Sequence, residues 1–401
     1  MKKFLTLILA IGCTMAAVAQ QAEKAEEKKG YQFTDVKVLE TTPVKNQNRS
    51  GTCWCYSTLS FLENEIIKEG GKAVHLSEMY VVRLSYLDKA ERYVRMHGSL
   101  NFAEGGAAHD VTDVIKKHGI VPFEVYKGLN YGTDLPDFHE LTAVMKAYLD
   151  AVIRAGESSR RALSTAWKRG FNAILDEYFG PMPETFTWEG KEYTPASYAA
   201  SLPIDMDNYI DISSFTHHPF YETFVLEVPD NWMGGEVYNL PLEEMMRVVD
   251  HALEQGYSLA WGTDVSEKGF SRTKAIGVVP EMDPKSMSGT EAERWGAMTA
   301  REREAALYSF DKPGKEREIT QELRQEAFDN WETTDDHGMV IMGTAVDQNG
   351  TAYYKVQNSW DTVKPYDGFW YFSKAFVAYK TTDLMVNKKA LPKDIAKKLG
   401  L

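Results

Sequence analysis

From Thr52 onward the apolar residues Trp54, Leu59, Phe61, Leu62, Ile66 and Ile67 recur at helical spacing until Gly70-Gly71 breaks the run. The pattern predicts a helix of about four turns, with Ser50 or Thr52 as candidate N-caps. Helical periodicity returns over 76–93 and over 111–118, the second entered from Glu104-Gly105-Gly106 and ended by Gly119. It returns again over 141–155 and 158–178, while 291–307 and 319–331 are charged amphipathic stretches. Short apolar or aromatic runs bounded by turn residues predict strands at 224–228, 258–262, 338–342, 352–357 and 368–372. Asn349-Gly350 lies between two of these runs and predicts a hairpin turn. No internal repeat or low-complexity tract interrupts the pattern. The expected class is α+β, with a helical lobe first, a mainly antiparallel sheet or barrel last, and a helical insertion between them.

Residues 1–19 follow another logic. Lys2 and Lys3, the apolar run 4–11 and the small residues Ala16-Ala17-Val18-Ala19 make a secretory leader with a cleavage site after Ala19. The apolar part is too short to span a bilayer, and Gln20, Gln21 and Glu23 close it. Lipid attachment at Cys13 is the lesser alternative. Residues 20–42 begin charged and polar, as an entry segment would. The expectation is an exported protein, periplasmic or extracellular, with no stable membrane insertion. Lys+Arg is 45 against Asp+Glu 58, a net charge of −13. The charge falls to about −15 once Lys2 and Lys3 leave with the leader. Phosphate binding needs a basic footprint, so no nucleic-acid partner is expected. Three cysteines in 401 residues exclude a disulfide scaffold, and only Cys53 and Cys55 follow the leader.

The chemistry-bearing stretch is Pro43-Val44-Lys45-Asn46-Gln47-Asn48-Arg49-Ser50-Gly51-Thr52-Cys53-Trp54-Cys55-Tyr56-Ser57. It puts Cys53 in the first turn of a helix, just after a glycine that lets a substrate backbone come close. The positive end of that helix favours a thiolate, which is the nucleophilic form. A helical cysteine is commonly a small core residue, and Cys55 is read that way. What sets Cys53 apart is Gln47 six positions before the Cys53-Trp54 pair, together with Asp336-His337-Gly338 and Gln357-Asn358-Ser359-Trp360 far downstream. In these motifs the chain resembles the papain-like cysteine peptidases. Ser50-Gly51-Thr52-Cys53-Trp54 matches their C-G-[SA]-C-[WY] pattern except at Ser50, where papain relatives carry a disulfide cysteine.

The resemblance implies roles. Cys53 would be the nucleophile and His337 its general base, with the Asn358 carbonyl holding the imidazole in the useful tautomer. The Gln47 amide and the Cys53 N–H would stabilise the tetrahedral oxyanion. Trp360 would cover the Asn358–His337 hydrogen bond, Trp54 would support the helix start, and Gly105, Gly106 and Asp336 would face the substrate. Asp361 stands where the family usually has Gly after Ser-Trp. Transglutaminase and arylamine acetyltransferase folds share the Cys-then-His order but usually orient the histidine with Asp, so Asn358 and Gln47 favour the peptidase. His109 and the pair His217-His218 are read as solvated, and no metal or other cofactor is expected.

His337 follows Cys53 by 284 residues, about twice the separation in the papain pattern. Long insertions of this kind resemble the bleomycin hydrolase or aminopeptidase C type, as do Leu76-Ser77-Glu78-Met79-Tyr80, Glu104-Gly105-Gly106 and Gly119-Ile120-Val121-Pro122. The organisation so implied is a papain-like two-lobe domain over 43–380. Within it fall a helical lobe (43–128), a helical insertion (129–219) and a β-rich lobe (220–380) that holds a further helical insertion at 280–330. Residues 381–401 would form a C-terminal arm that enters the cleft and sets the Leu401 carboxylate opposite the amino group of a peptide substrate, making an aminopeptidase. The type also implies a homo-oligomer, a hexamer enclosing its sites. The alternatives are an endopeptidase with an open cleft or a non-catalytic peptide-binding protein on the same fold.

Overall fold

The computed structural model describes residues 30–158, 162–281 and 297–401. The expected leader at 1–19, the first part of the entry segment (20–29) and part of the 280–330 insertion lie outside the described residues. Strand β1 (Phe33–Val38) precedes five helices: α1 (Cys53–Lys68), α2 (Glu78–Arg95), α3 (Ala108–His118), α4 (His139–Ser158) and α5 (Ala166–Phe179). A small hairpin, β2 (Phe186–Trp188) and β3 (Lys191–Tyr193), and a short helix α6 (Pro195–Ala199) follow. Then come β4 (Tyr209–Ser213), β5 (Thr223–Val225), β6 (Glu236–Asn239), α7 (Leu242–Gln255), β7 (Leu259–Thr263), β8 (Phe270–Ser271) and β9 (Ile276–Gly277). The chain continues through α8 (Ala300–Leu307), α9 (Gln321–Asp329), β10 (His337–Asp347), β11 (Ala352–Gln357), β12 (Phe369–Ser373), α10 (Lys374–Lys380), β13 (Thr381–Asn387) and α11 (Lys393–Lys398). No described helix is long and apolar enough to cross a membrane.

The class is α+β, with two large cores and two smaller clusters. The first gathers α1–α5: Leu59, Phe61, Leu62 and Ile66 of α1 pack with Val81, Val82 and Tyr86 of α2 and with Val111 and Val114 of α3. Residues 129–179 do not stand apart from it, because Phe138, Leu141, Leu149, Phe171, Leu175 and Phe179 are fully or almost fully buried in the same core. The second core lies on the sheet, whose order is β5-β6-β4-β13-β7-β10-β11-β12-β9-β8 with β1 on β10. Most pairs are antiparallel; β4 with β6 and β9 with β12 are parallel. The expected turn at Asn349-Gly350 joins β10 to β11, with Gly350 at φ +83°.

Two features put the site together. Helix α1 is buried from Trp54 to Ile66 and packs against β10 and β7. Its approach to β10 depends on Gly338, where a Cβ would lie 2.7 Å from Ser57 Oγ and 3.2 Å from the Cys53 carbonyl oxygen. Neither expected N-cap closes the helix with its side chain; Ser50 Oγ and Thr52 Oγ1 bond each other instead, at 2.6 Å.

The C-terminal arm needs correction. Residues 381–387 are β13, in the middle of the sheet between β4 and β7 and buried on both faces except at Asp383. Beyond it the chain folds onto α7: His251 Nδ1 meets the Ala390 carbonyl at 2.8 Å, and Asp394 and Lys398 pair with Arg247 and Glu244. Ile395 and Leu399 are buried among Val248, Val249 and Leu253. Apolar burial therefore holds the end of the chain on the sheet side, and Leu401 is not among the residues lining the Cys53 cleft.

Candidate active site

Three elements converge. Cys53 opens α1, His337 opens β10, and Asn358 follows β11. Asn358 Oδ1 lies 2.8 Å from His337 Nε2 and also accepts the Ser359 N–H at 2.7 Å. An amide oxygen there requires the proton on Nε2, which leaves Nδ1 with its lone pair as the basic nitrogen. The indole of Trp360 stacks on the imidazole with centroids 4.4 Å apart, and Arg272 lies 4.7 Å over the Trp360 ring. Trp370 and Phe270 meet Trp360 edge-on, so the ring that covers His337 is itself fixed.

Gln47 is buried beside this pair. Its Nε2 donates to the Ser50 carbonyl at 2.7 Å, its Oε1 accepts the Ser359 hydroxyl at 2.6 Å, and its N–H donates to the Ser359 carbonyl at 2.9 Å. The loop before α1 is thus stitched to the loop after Asn358. One amide hydrogen of Gln47 is not used in these bonds. Trp54 is buried and its Nε1 donates to the Glu104 carbonyl at 3.1 Å. Glu104 also binds the Gly51 N–H through Oε2 at 2.5 Å and Thr142 through Oε1 at 2.6 Å. It therefore ties the loop 103–106 to the turn before Cys53, a role the sequence signalled only by an acid next to Gly-Gly.

The two glycines differ. Gly106 lines the cleft with Cys53 and His337, and a Cβ there would meet Trp54 at 2.9 Å. The Gly105 carbonyl is taken by the buried Lys89, and the Asp230 carboxylate stands where a Gly105 Cβ would be. Asp336 spends its carboxylate on the Val265 and Ser266 N–H groups, at 2.9 and 3.1 Å. Cys55 is fully buried, as a core residue would be. His217 and His218 meet Glu227 at 2.8 and 3.1 Å. The Gln325 amide donates to His217 Nδ1, which puts that ring's proton on Nε2 and makes it a donor to Glu227 rather than a free metal ligand.

The charge state of the pair differs from the sequence-based expectation of a helix-stabilised thiolate. Burial pushes the Cys53 thiol up to about 12, and Asp335 and Asp230 add to this against the lowering by the Gly338 N–H. Burial pushes His337 down to about 4, against the Asn358 hydrogen bond, and Arg272 lowers it further. The free site therefore rests as thiol and neutral imidazole, because desolvation and two nearby carboxylates outweigh the partial charge of the helix end.

A helix-borne thiol in one cleft with an imidazole oriented by asparagine, between a helical core and a mainly antiparallel sheet, defines a papain-like cysteine peptidase. Sequence comparison agrees, and the chain belongs to the Peptidase C1-like family, whose pattern matches residues 5–297 and 307–400. Aminopeptidase C of Lactobacillus delbrueckii subsp. lactis is 24% identical over 405 residues, covering 90% of this chain and 82% of the relative. Aminopeptidase G of the same organism is 24% identical, covering 89% and 83%. Mitochondrial cysteine proteinase 1 of Saccharomyces cerevisiae is 21% identical, covering 91% and 79%. The crystal structure of pepw from Lactobacillus rhamnosis shares the fold, with TM-score 0.69, 19% identity and coverage of 92% and 84%. The chain is thus of the bleomycin hydrolase and aminopeptidase C type.

Proposed function

We propose that the protein hydrolyses peptides through Cys53, His337 and Asn358 and acts as an aminopeptidase. The observation that carries the mechanism is the 2.8 Å contact of His337 Nε2 with Asn358 Oδ1, which leaves Nδ1 as the base on the side of the ring away from Asn358. As the Cys53 sulfur attacks the peptide carbonyl, Nδ1 takes the thiol proton, and the oxyanion is held by the Cys53 N–H and the Gln47 amide. His337 passes the proton to the leaving amine, the C–N bond breaks, and a thioester remains. Water then attacks the thioester with His337 again as base, which frees the acid and restores the thiol. The aminopeptidase part is supported by the named activity of the Lactobacillus relatives. Export, expected from the leader-like residues 1–19, would put this action outside the cytoplasm.

The test is hydrolysis, under reducing conditions, of aminoacyl and N-acetyl-aminoacyl fluorogenic amides. An aminopeptidase cleaves the free series and leaves the acetylated one. Equal cleavage of both would instead mean an open endopeptidase cleft, a reading favoured by the folding of the chain's end onto α7. The pH profile adds a check on the mechanism. A protonated imidazole cannot accept the thiol proton, so kcat/KM is expected to hold through neutral pH and fall only as pH drops through about 4, where His337 titrates. An acid limb centred near the ordinary histidine value, about 6.5, would contradict the buried neutral pair.

A further inference from the structure

The cleft beside Cys53 has an acidic end that peptide-bond chemistry does not use. Asp230, Asp335 and Asp383 line it, with Leu226, Val237 and Trp261 among its apolar walls. The three acids come from different parts of the chain, between β5 and β6, just before His337, and on β13. Asp230 Oδ1 accepts the Asn101 amide at 3.0 Å and Asp383 Oδ1 the Thr382 hydroxyl at 2.9 Å. Asp335 has no hydrogen bond or ion pair among the described residues. Two cations lie near, and although His109, which lines the same cleft, and Lys89 still draw Asp383 and Asp230 down, neither forms an ion pair with Asp230, Asp335 or Asp383. His109 sits between Asp211 Oδ2 at 3.3 Å and Asp110 Oδ1 at 3.6 Å, and Lys89 gives its ammonium to the Ala103 and Gly105 carbonyls.

We infer that this end of the cleft is a recognition pocket for a cationic group of the substrate, either the ammonium of a free amino terminus or the side chain of lysine or arginine. The inference rests on the peptidase reading for the nature of the substrate, and on the acids and walls for its charge. An acid with no partner beside the candidate nucleophile becomes complementary to such a group once it ionises, and the attraction is strengthened where water is scarce. The apolar walls suit the methylene stem of a basic side chain. The acids also strain one another while the pocket is empty. Burial and Asp211 push Asp383 up to about 6, and burial, Asp383 and Asp230 push Asp335 well above the carboxylate range. A bound cation favours the ionised forms of these acids.

The test uses the full chain and a set of hexapeptides that differ only by lysine, arginine or norleucine next to the cleaved bond, on either side, each with a free or acetylated amino terminus. The wild-type protein is expected to favour the cationic member of a pair by about tenfold or more in kcat/KM, and Asp335→Asn and Asp383→Asn to bring that ratio towards one. A ratio of two substrates on one preparation does not depend on how much of the variant has folded. Preference for lysine or arginine among acetylated peptides identifies a side chain as the ligand. Preference for free over acetylated norleucine peptides, lost in the variants, identifies the terminal ammonium. No preference in the wild type, or one that survives in both variants, overturns the proposal. Calorimetry of the same peptides on Cys53→Ala protein separates the two readings. Tighter binding of cationic peptides there, lost in Cys53→Ala/Asp383→Asn, upholds the pocket even if the wild type hydrolyses nothing.

Discussion

Cys53→Ala is expected to lower kcat/KM for peptide hydrolysis by about 10⁵-fold or more, because no second thiol among the described residues can reach the substrate. Cys55 is buried, and its sulfur lies 3.4 Å from the Glu78 carbonyl on the far side of α1. Alanine suits the first turn of a helix, so the melting temperature should stay within a few degrees of the wild type. Asn358→Ala is expected to cost less, about 10²-fold, because the imidazole keeps its stacking on Trp360 and loses only the acceptor that fixes its proton on Nε2. The loss should appear in kcat with KM little changed. Hydrolysis surviving in purified Cys53→Ala protein at more than a hundredth of the wild-type rate would remove Cys53 from the mechanism, and equal losses in the two variants would mean that Asn358 does more than orient the ring.

The parts of this site that could be read from sequence are those whose spacing is local. The apolar rhythm from Trp54 to Ile67 located α1 to within a residue or two, because a helix that carries a nucleophile at its start still has to bury its body. The departure at Asp361 was visible too, and the structure supplies its reason. The residue sits at φ +67°, a left-handed conformation that glycine adopts freely and aspartate tolerates. Its carboxylate accepts the Thr362 N–H at 2.6 Å and the Asn46 amide at 3.2 Å, so the turn survives without glycine.

What escaped the sequence depends on partners far along the chain. Strand β13 falls within the arm that the resemblance implies, and Thr381–Asn387 shows no clean alternation to contradict it; a strand buried on both faces has none to show. Helix α7 was legible and missed, since Leu242, Met245, Val248, Val249, Ala252 and Leu253 fall on one helical face. The protonated state of Cys53 could not be read at all. Its motif and helix argue for a thiolate, while the acids that oppose one, Asp230 and Asp335, lie more than a hundred residues away and enter only through the fold.

Lys45→Met should give the largest loss of stability for a single change near the site, about 3–5 kcal/mol. The Lys45 ammonium lies 2.7 Å from Glu63 Oε1 and 2.8 Å from Glu78 Oε1, with both carboxylates almost fully buried. Methionine matches the length of the stem but leaves those two acids without their cation. Burial alone would raise Glu78, yet Lys45 and His75 hold it down to about 2. A carboxyl depressed in the folded state contributes stability above its unfolded value, and that contribution is lost as pH falls from about 4.5 towards 2. In the variant the main depressing charge is gone, so protonating Glu78 should relieve the fold rather than weaken it. Urea titrations of both proteins should therefore show a gap that is widest near neutral pH and narrows towards pH 4. A gap that stays constant with pH would mean that the loss comes from packing around residue 45 and not from its charge. The same change should slow hydrolysis, because Lys45 is two residues from Gln47 and its carbonyl accepts the Asp361 N–H, so the ion pairs also anchor the loop that brings Gln47 to Ser359.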